Sequence, residues 1–388
     1  MASASVATLA AAVLSVGSWA AAAERVHFSD FNDAANVSDA WSTKSTAVPP
    51  ADDGTNGRPA KRHPRRYLGE FTNETVTLSL KSLPPHAFVR ISFDLLILKS
   101  WEGISGATID NQSGGPEYWG MQLDQGPLLI HAAFANPFSS IGLQQEGPWQ
   151  TFPTLIPGER VPARTRAAET NSFGFEREAG GDSTYRLKLL LPHQGPNVKF
   201  GFFGENLQQV EDHSWALDNV TVEVLSAEEV PPLSPAEWKN VWDDFGDANP
   251  AKAFDAGWKL VAAPAQTIEK STAFLAALGR LPDKELLAKK TAGLVKQLDA
   301  NEFRARERAM KDLLKLGSSA IPYLRRAWKA PASAEARSRL ELLLGRIDDI
   351  DPAYLDEDTR RRERLSVVLG IINTPPTTKL LEKYYPDR

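Results

Sequence analysis

Ser214-Trp-Ala-Leu-Asp-Asn-Val-Thr-Val-Glu-Val-Leu225 runs directly into Ser226-Ala-Glu-Glu-Val-Pro-Pro-Leu-Ser-Pro235. In the first stretch Val220, Val222 and Val224 fall on one face, the period of a half-buried strand. The second carries Pro231, Pro232 and Pro235, which remove backbone donors and end regular pairing. Upstream the period stays at two: Val89, Ile91, Phe93, Leu95 and Ile97 make one face, and Tyr185, Leu187, Leu189 and Leu191 another. Downstream it becomes helical, as in Ile321, Leu324 and Trp328. Runs of strands followed by runs of helices indicate two domains in series, not an interleaved α/β sheet. The expected architecture is an antiparallel β-sandwich of jelly-roll type followed by an all-α, HEAT-like helical repeat domain.

Nine strands are expected before residue 226: Val26–Phe31, Tyr67–Phe71, Thr75–Leu80, His86–Leu98, Tyr118–Leu123, Leu128–Phe134, Thr184–Leu191, Val198–Phe203 and Trp215–Leu225. Gly, Pro, Asn and Asp punctuate them, as at Gly114-Gly115-Pro116. Ser42–Arg66 and Ala135–Arg166 read as long loops, the places where ligand contacts concentrate on such scaffolds. The domain boundaries are then a signal peptide at 1–23, the sandwich at 24–225, a linker at 226–235 and the helical domain at 236–388. The Pro-rich linker suggests that each half folds alone.

The 388 residues are 42% hydrophobic and 24% charged, ordinary values for globular chains, with a net charge of −5. That balance gives no global attraction to nucleic acid or anionic membrane. Most of the excess acid lies in the β half. Leu9–Ala23 is small and apolar, and Ala21-Ala22-Ala23 before Glu24 offers an A-x-A cleavage site. A retained anchor is the alternative, although the stretch is short against the roughly 20 apolar residues of a membrane span. No later segment reaches that length. The chain has no Cys, which excludes disulfides, thiolate zinc and Cys-ligated clusters. Export to the periplasm, cell envelope or medium is expected, with no span after signal cleavage.

In the helical half, Asp299-Ala-Asn-Glu302 reads as a capping signal for a helix over Phe303–Leu316, closed by Gly317. Ser319 and Ser333 are expected to cap the next two helices, the second of which buries Ala336, Leu340, Leu344 and Ile347. Arg306-Glu307-Arg308 with Leu313 and Leu324 recurs 56 residues later as Arg362-Glu363-Arg364 with Leu369 and Leu380. Repeated helix pairs that share a core read as a HEAT-like stack, with a compact bundle as the alternative.

Two stretches resemble modules of large secreted or envelope proteins from planctomycete-type bacteria. The β block is similar to one of them through Phe28-Ser-Asp-Phe31, Ser92-Phe-Asp-Leu95, Ser100-Trp-Glu-Gly103, Gly115-Pro-Glu-Tyr-Trp119, Pro162-Ala-Arg164, Ala168-Glu-Thr-Asn171 and the Ser214–Val220 segment. That last segment resembles the closing strand of concanavalin-like and carbohydrate-binding jelly rolls. Residues 233–385 resemble a helical module of such proteins through Val241-Trp-Asp-Asp244, Leu260-Val-Ala-Ala-Pro264, Leu298-Asp299, Phe303-Arg-Ala-Arg-Glu307 and Thr374-Pro375. The resemblance implies architecture and supplies no activity. One departure is Lys99, which stands before Ser-Trp where an acid is typical.

Asp218 shares the parity of the valine row, and a carboxylate facing an apolar interior must be paired or metal-bound. With Asp30 in the opening strand it is a candidate Ca2+ ligand; the alternative is an arginine partner at the sandwich edge. Trp101, Trp119 and Trp215 are candidate platforms for sugar rings, or else core residues. Glu102, Glu117, Glu205 and Glu211 could supply carboxylates for glycoside hydrolysis, but no compact acid motif pairs them. The histidines His27, His63, His86, His131, His193 and His213 lack zinc spacing, and neither Gly-x-Ser-x-Gly nor a phosphate loop is present. The run Arg58–Arg66 is basic and suits an anionic polymer or a solvated loop. The expected function is non-enzymatic binding. The sandwich would hold carbohydrate or another envelope component, and the helices a protein partner. A glycan-acting hydrolase and a purely structural envelope protein are the alternatives.

Overall fold

The computed structural model describes residues 23–50, 65–104, 116–136, 148–156, 158–175, 180–279, 284–316, 320–348 and 355–386. The signal-like segment before Ala23, the basic run before Arg65, parts of both long loops, Gly114, Gly115, Gly317 and Ser319, and the side chains of Ile321 and Ile347 lie outside them.

Two antiparallel sheets pack face to face. The larger runs, in spatial order, β10 (Glu169–Thr170), β11 (Asp182–Pro192), β5 (Phe88–Lys99), β13 (His213–Leu225), β3 (Tyr67–Phe71) and β2 (Thr46–Ala47), with β1 (Glu24–Ser29) also on β13. The smaller runs β4 (Thr75–Lys81), β12 (Asn197–Glu205), β6 (Tyr118–Leu123) and β7 (Leu128–Ala133). β8 (Trp149–Gln150) and β9 (Val161–Pro162) form a short ribbon. All nine expected strands are present. Alternation places Val89, Ile91, Phe93, Leu95 and Ile97 opposite Val76, Leu78, Met121, Phe200 and Phe202 in the core between the sheets.

Val220, Val222 and Val224 are buried in that core. Val222→Ala removes two methyl groups opposite Ile91 and is expected to lower unfolding free energy by about 1–3 kcal/mol. Denaturant unfolding measures it, and surface-like tolerance at Val222 would contradict the assigned register.

Among the described residues nine helices follow. They are α1 (Pro235–Gly246), α2 (Pro250–Ala262), α3 (Pro264–Leu278), α4 (Lys284–Gln297), α5 (Phe303–Lys315), α6 (Ile321–Lys329), α7 (Ala334–Asp348), α8 (Glu357–Ile372) and α9 (Pro375–Tyr384). Ser234 starts α1 through a reciprocal capping box with Glu237. Ser333 caps α7 as expected, its Oγ accepting from Ala336 N at 3.0 Å. The signal before α5 works differently. Glu302 makes no capping bond, and Asp299 instead accepts from the Ser333 hydroxyl at 2.5 Å.

Consecutive helices pair as hairpins, α1 with α2, α4 with α5, α6 with α7 and α8 with α9. They gather into two groups. α1–α3 and α8–α9 contribute Val241, Phe245, Phe254, Leu365, Leu369 and Leu380 to the same core as the sandwich. α4–α7 surround a second core of Leu298, Met310, Leu313, Leu324, Leu340 and Leu343. The two copies of the 56-residue repeat therefore sit in different cores.

Independence of the halves, expected from the linker, is not what the packing supports. The linker is mostly exposed, but the segment Phe152–Ile156 turns inward between the helices. Phe152 stacks edge-on against Phe254 of α2 at 5.2 Å. Gly257 leaves the room that Leu155 fills, since a Cβ there would lie 2.6 Å from Leu155 Cδ1. Ile156 joins the second helical core. Arg166 adds an ion pair to Asp255 at 2.8 Å. A loop expected to face ligand is, over this stretch, the seam between sandwich and helices.

Candidate functional site

One irregularity in β13 decides where two expected site residues go. Asp218 pairs with Asp94, but the next pair is Thr221 with Ser92, so one extra residue is inserted at Asn219. Asn219 has φ of 51°, the left-handed conformation such a bulge requires. The bulge reverses parity across it. Trp215, opposite Ile97, therefore joins the valine row inside, and Asp218 leaves that row for the outer face of the larger sheet.

There Asp218 meets an arginine. Arg65 Nη2 lies 3.0 Å from both Asp218 Oδ2 and Asp94 Oδ2. Asn219 Nδ2 donates to Asp94 at 2.8 Å, and the Asn219 backbone N donates to Asp218 at 2.8 Å. The Arg65 guanidinium also covers the Phe173 ring at 5.1 Å. Asp30 accepts only a local bond from Asn32 N at 3.3 Å. Among the described residues no group of three or more His, Asp or Glu side chains is placed to hold a metal. Asp218 thus has the arginine partner that was the alternative to Ca2+, in an arginine-bridged carboxylate pair with Asp94.

Burial pushes the Asp218 carboxyl up to about 6, and Asp94 adds to this; Asn219 N and Arg65 oppose it. Because the folded value exceeds the ordinary 3.8, the folded state holds more protons between those values. The contribution of this group is then complete below about pH 4 and is lost as pH rises through about 6. Asp218→Asn should remove that component, so the stability difference between variant and parent changes from pH 5 to pH 7. An unchanged difference, measured by urea unfolding at both values, would contradict it.

Trp101, Trp119 and Trp215 are each 0% exposed and offer no face to a sugar. Trp101 Nε1 donates to Ser214 O at 2.8 Å and Trp215 Nε1 to Thr72 O at 2.7 Å. Trp119 and Trp215 meet edge-to-face at 6.3 Å inside the core. Of the four acids considered for hydrolysis, Glu102 and Glu117 come together. Glu117 Oε2 accepts from Glu102 N at 2.6 Å, and Glu117 Oε1 lies 2.9 Å from His213 Nδ1. Burial and then the Glu117 charge push Glu102 up. Glu117 and His213 are buried, so only half-exposed Glu102 is open to a substrate.

A cluster of partly exposed aromatic residues lies on the outer face of the smaller sheet. In β12, Val198, Phe200 and Phe202 point inward, so Lys199, Gly201, Phe203 and Glu205 point out. In β6, Trp119 and Met121 point inward, so Tyr118, Gly120 and Gln122 point out. His131 of β7 stands opposite Gly120, and so does Phe203 from the other side. Three rings gather over that glycine. Tyr118 stacks on His131 at 4.5 Å, and His131 faces Phe203 at 6.3 Å. Gly120 is required for this. A Cβ there would lie 2.2 Å from Phe203 Cζ. Polar groups surround the rings. Glu205 Oε2 lies 2.9 Å from His131 Nε2 and stays half-exposed. Gln122 and Thr75 are exposed on the same face. Burial, with the Glu205 charge, pushes the Tyr118 phenol up, which keeps it a hydroxyl donor.

Tyr118, His131 and Phe203 were legible in principle. Each falls on the parity opposite to the apolar row of its own strand, which is the signal of an outward aromatic residue.

No family model matches the chain, and no curated protein matches it. Among solved structures, dimeric latent PorU from Porphyromonas gingivalis is similar over 41% of this chain and 10% of that chain. The identity is 13% and the TM-score 0.23. A likeness of that size carries no argument about function.

Proposed function

We propose that this is an exported binding protein whose sandwich holds carbohydrate or another envelope component on the outer face of the smaller sheet. The observation that carries the reading is the cluster of Tyr118, His131 and Phe203 over Gly120, edged by Glu205 and Gln122. A pyranose presents an apolar C–H face and a rim of hydroxyls. Stacked rings with a few placed carboxylate and amide groups complement both. The apolar, small-residue segment ending at Ala23 and the resemblance of the β block to secreted jelly-roll modules support export and glycan binding. The helical part would hold a protein partner. Leu286 at 58%, Phe303 at 61% and Leu342 at 47% exposure, on α4, α5 and α7 respectively, support that part of the reading.

A polysaccharide panel with the intact protein tests the proposal. At least one neutral or weakly charged glycan is expected to retain it. Phe203→Ala and Tyr118→Ala should each weaken retention roughly tenfold, the loss of one ring's stacking. Retention that ignores both substitutions, or none on any glycan, would contradict the reading.

A further inference from the structure

A groove lies on the opposite side of the sandwich, where α2 crosses the outer face of the larger sheet. The groove has a volume of about 530 Å3. Its floor is apolar, from Leu187, Leu190, Phe254 and Trp258. Its rim carries five cations, Arg90, Arg166, Arg186, Lys188 and Lys259, against one lining acid, Asp255.

The ion pairs around the groove show which of these charges are already used. Arg90 pairs with Glu223 at 3.0 Å. Arg186 pairs with Glu169 and faces Asp94 at 3.7 Å. Asp255 stands one helical turn before Lys259, the favourable order for an i,i+4 pair. It turns to Arg166 across the seam instead, at 2.8 Å. Arg166 also donates to Ala251 O at 3.2 Å. Lys259 is thereby left without an acid. Lys188 stands opposite Ser92 in the sheet and has no acid beside it in its pair. Both ammonium groups are exposed, one on the sheet wall and one on the helix wall, and neither makes an ion pair among the described residues.

We propose that this groove binds an anionic polysaccharide, one whose sugars carry carboxylate or sulfate groups. The charge spacing favours such a polymer over nucleic acid. Glu223, Glu169, Asp94 and Asp255 sit among the cations, and they would repel duplex DNA, with its one charge per about 1.7 Å of axis, more strongly than a glycan whose charges are spaced a sugar apart. A polymer with one anionic group per sugar can set those groups on Lys188 and Lys259, above the apolar floor between them. The groove does not depend on the aromatic face of the other sheet; it is a separate site on the same protein.

The test measures retention of the intact protein at low ionic strength on polygalacturonate, dextran sulfate, neutral dextran and double-stranded DNA. Polygalacturonate distinguishes carboxylate from sulfate recognition by dextran sulfate. The double variant Lys188→Glu with Lys259→Glu breaks no ion pair, so it should fold. It is expected to lose about tenfold in retention on the preferred anionic glycan. Lys311→Glu with Lys379→Glu makes the same charge change at exposed positions elsewhere on the helices and should retain binding. Tyr118→Ala should also retain it, which separates this site from the proposed glycan face. Equal loss in both double variants, no preference for either anionic glycan over neutral dextran, or tighter retention on DNA than on either anionic glycan would overturn the proposal.

Discussion

Arg364→Met is expected to lower the unfolding free energy by about 2–6 kcal/mol, from two carbonyls left unsatisfied at about 1–3 kcal/mol each. Arg364 of α8 is fully buried. Its Nη1 donates to the carbonyls of Phe245 and Asp247, each at 2.7 Å, where α1 ends. A cation there satisfies terminal carbonyls and suits the negative end of the helix. Burial lowers its pKa to about 10, and the repulsion of Arg360 contributes; Glu159 and Asp247 oppose this. Glu159 belongs to the sandwich and is itself fully buried. Removing the guanidinium would leave two carbonyls without their donor. Arg364→Lys should recover only part of the loss, because an ammonium is a point donor where a guanidinium is a fork. Urea unfolding measures both. A cost below about 1 kcal/mol for the Met variant would contradict the assigned role.

Phe152→Ala is expected to cost about 3–5 kcal/mol, the range for deleting a buried aromatic side chain. Its ring lies 4.9 Å from Phe134, 5.4 Å from Tyr185 and 5.2 Å from Phe254. The first two belong to the sandwich and the third to α2, so the cavity opens at the seam between them. Calorimetry of the parent should show the sandwich unfolding together with α1–α3 and α8–α9, because they share one apolar core. The Ala variant should melt earlier. Full tolerance of the substitution would mean that Phe152 does not join the two parts.

Period explains what was legible in the chain. Continuous alternation located the nine longer strands of the sandwich within one or two residues, missing the two-residue strands β2, β8, β9 and β10, and the change of period near Leu225 placed the turn from strands to helices. Alternation fails where one residue is inserted. Asn219 offers no strong warning in the sequence, yet its bulge sends Asp218 outward and Trp215 inward, reversing both expectations. The partner of Asp218, Arg65, lies 153 positions away, and no local pattern can reveal such a pairing. The inward course of Phe152–Ile156 was hidden for a different reason. Pro, Gly and polar residues around it suggest a solvent-facing loop, and only contact with α2 shows what its apolar residues cover. Phe203, by contrast, stood in plain view one position out of phase with Phe202.

The claim that the smaller sheet's outer face binds glycan is tested most directly by hydrogen–deuterium exchange on the intact protein. An oligosaccharide from the best-retained polysaccharide serves as the ligand. Protection is expected over Tyr118–Leu123 and Asn197–Glu205, and in Phe203→Ala it should require roughly tenfold more ligand while the rest of the sandwich exchanges as before. Protection confined to the Glu102–Glu117–His213 cluster or to the α2 groove, with β6 and β12 unchanged, would contradict it.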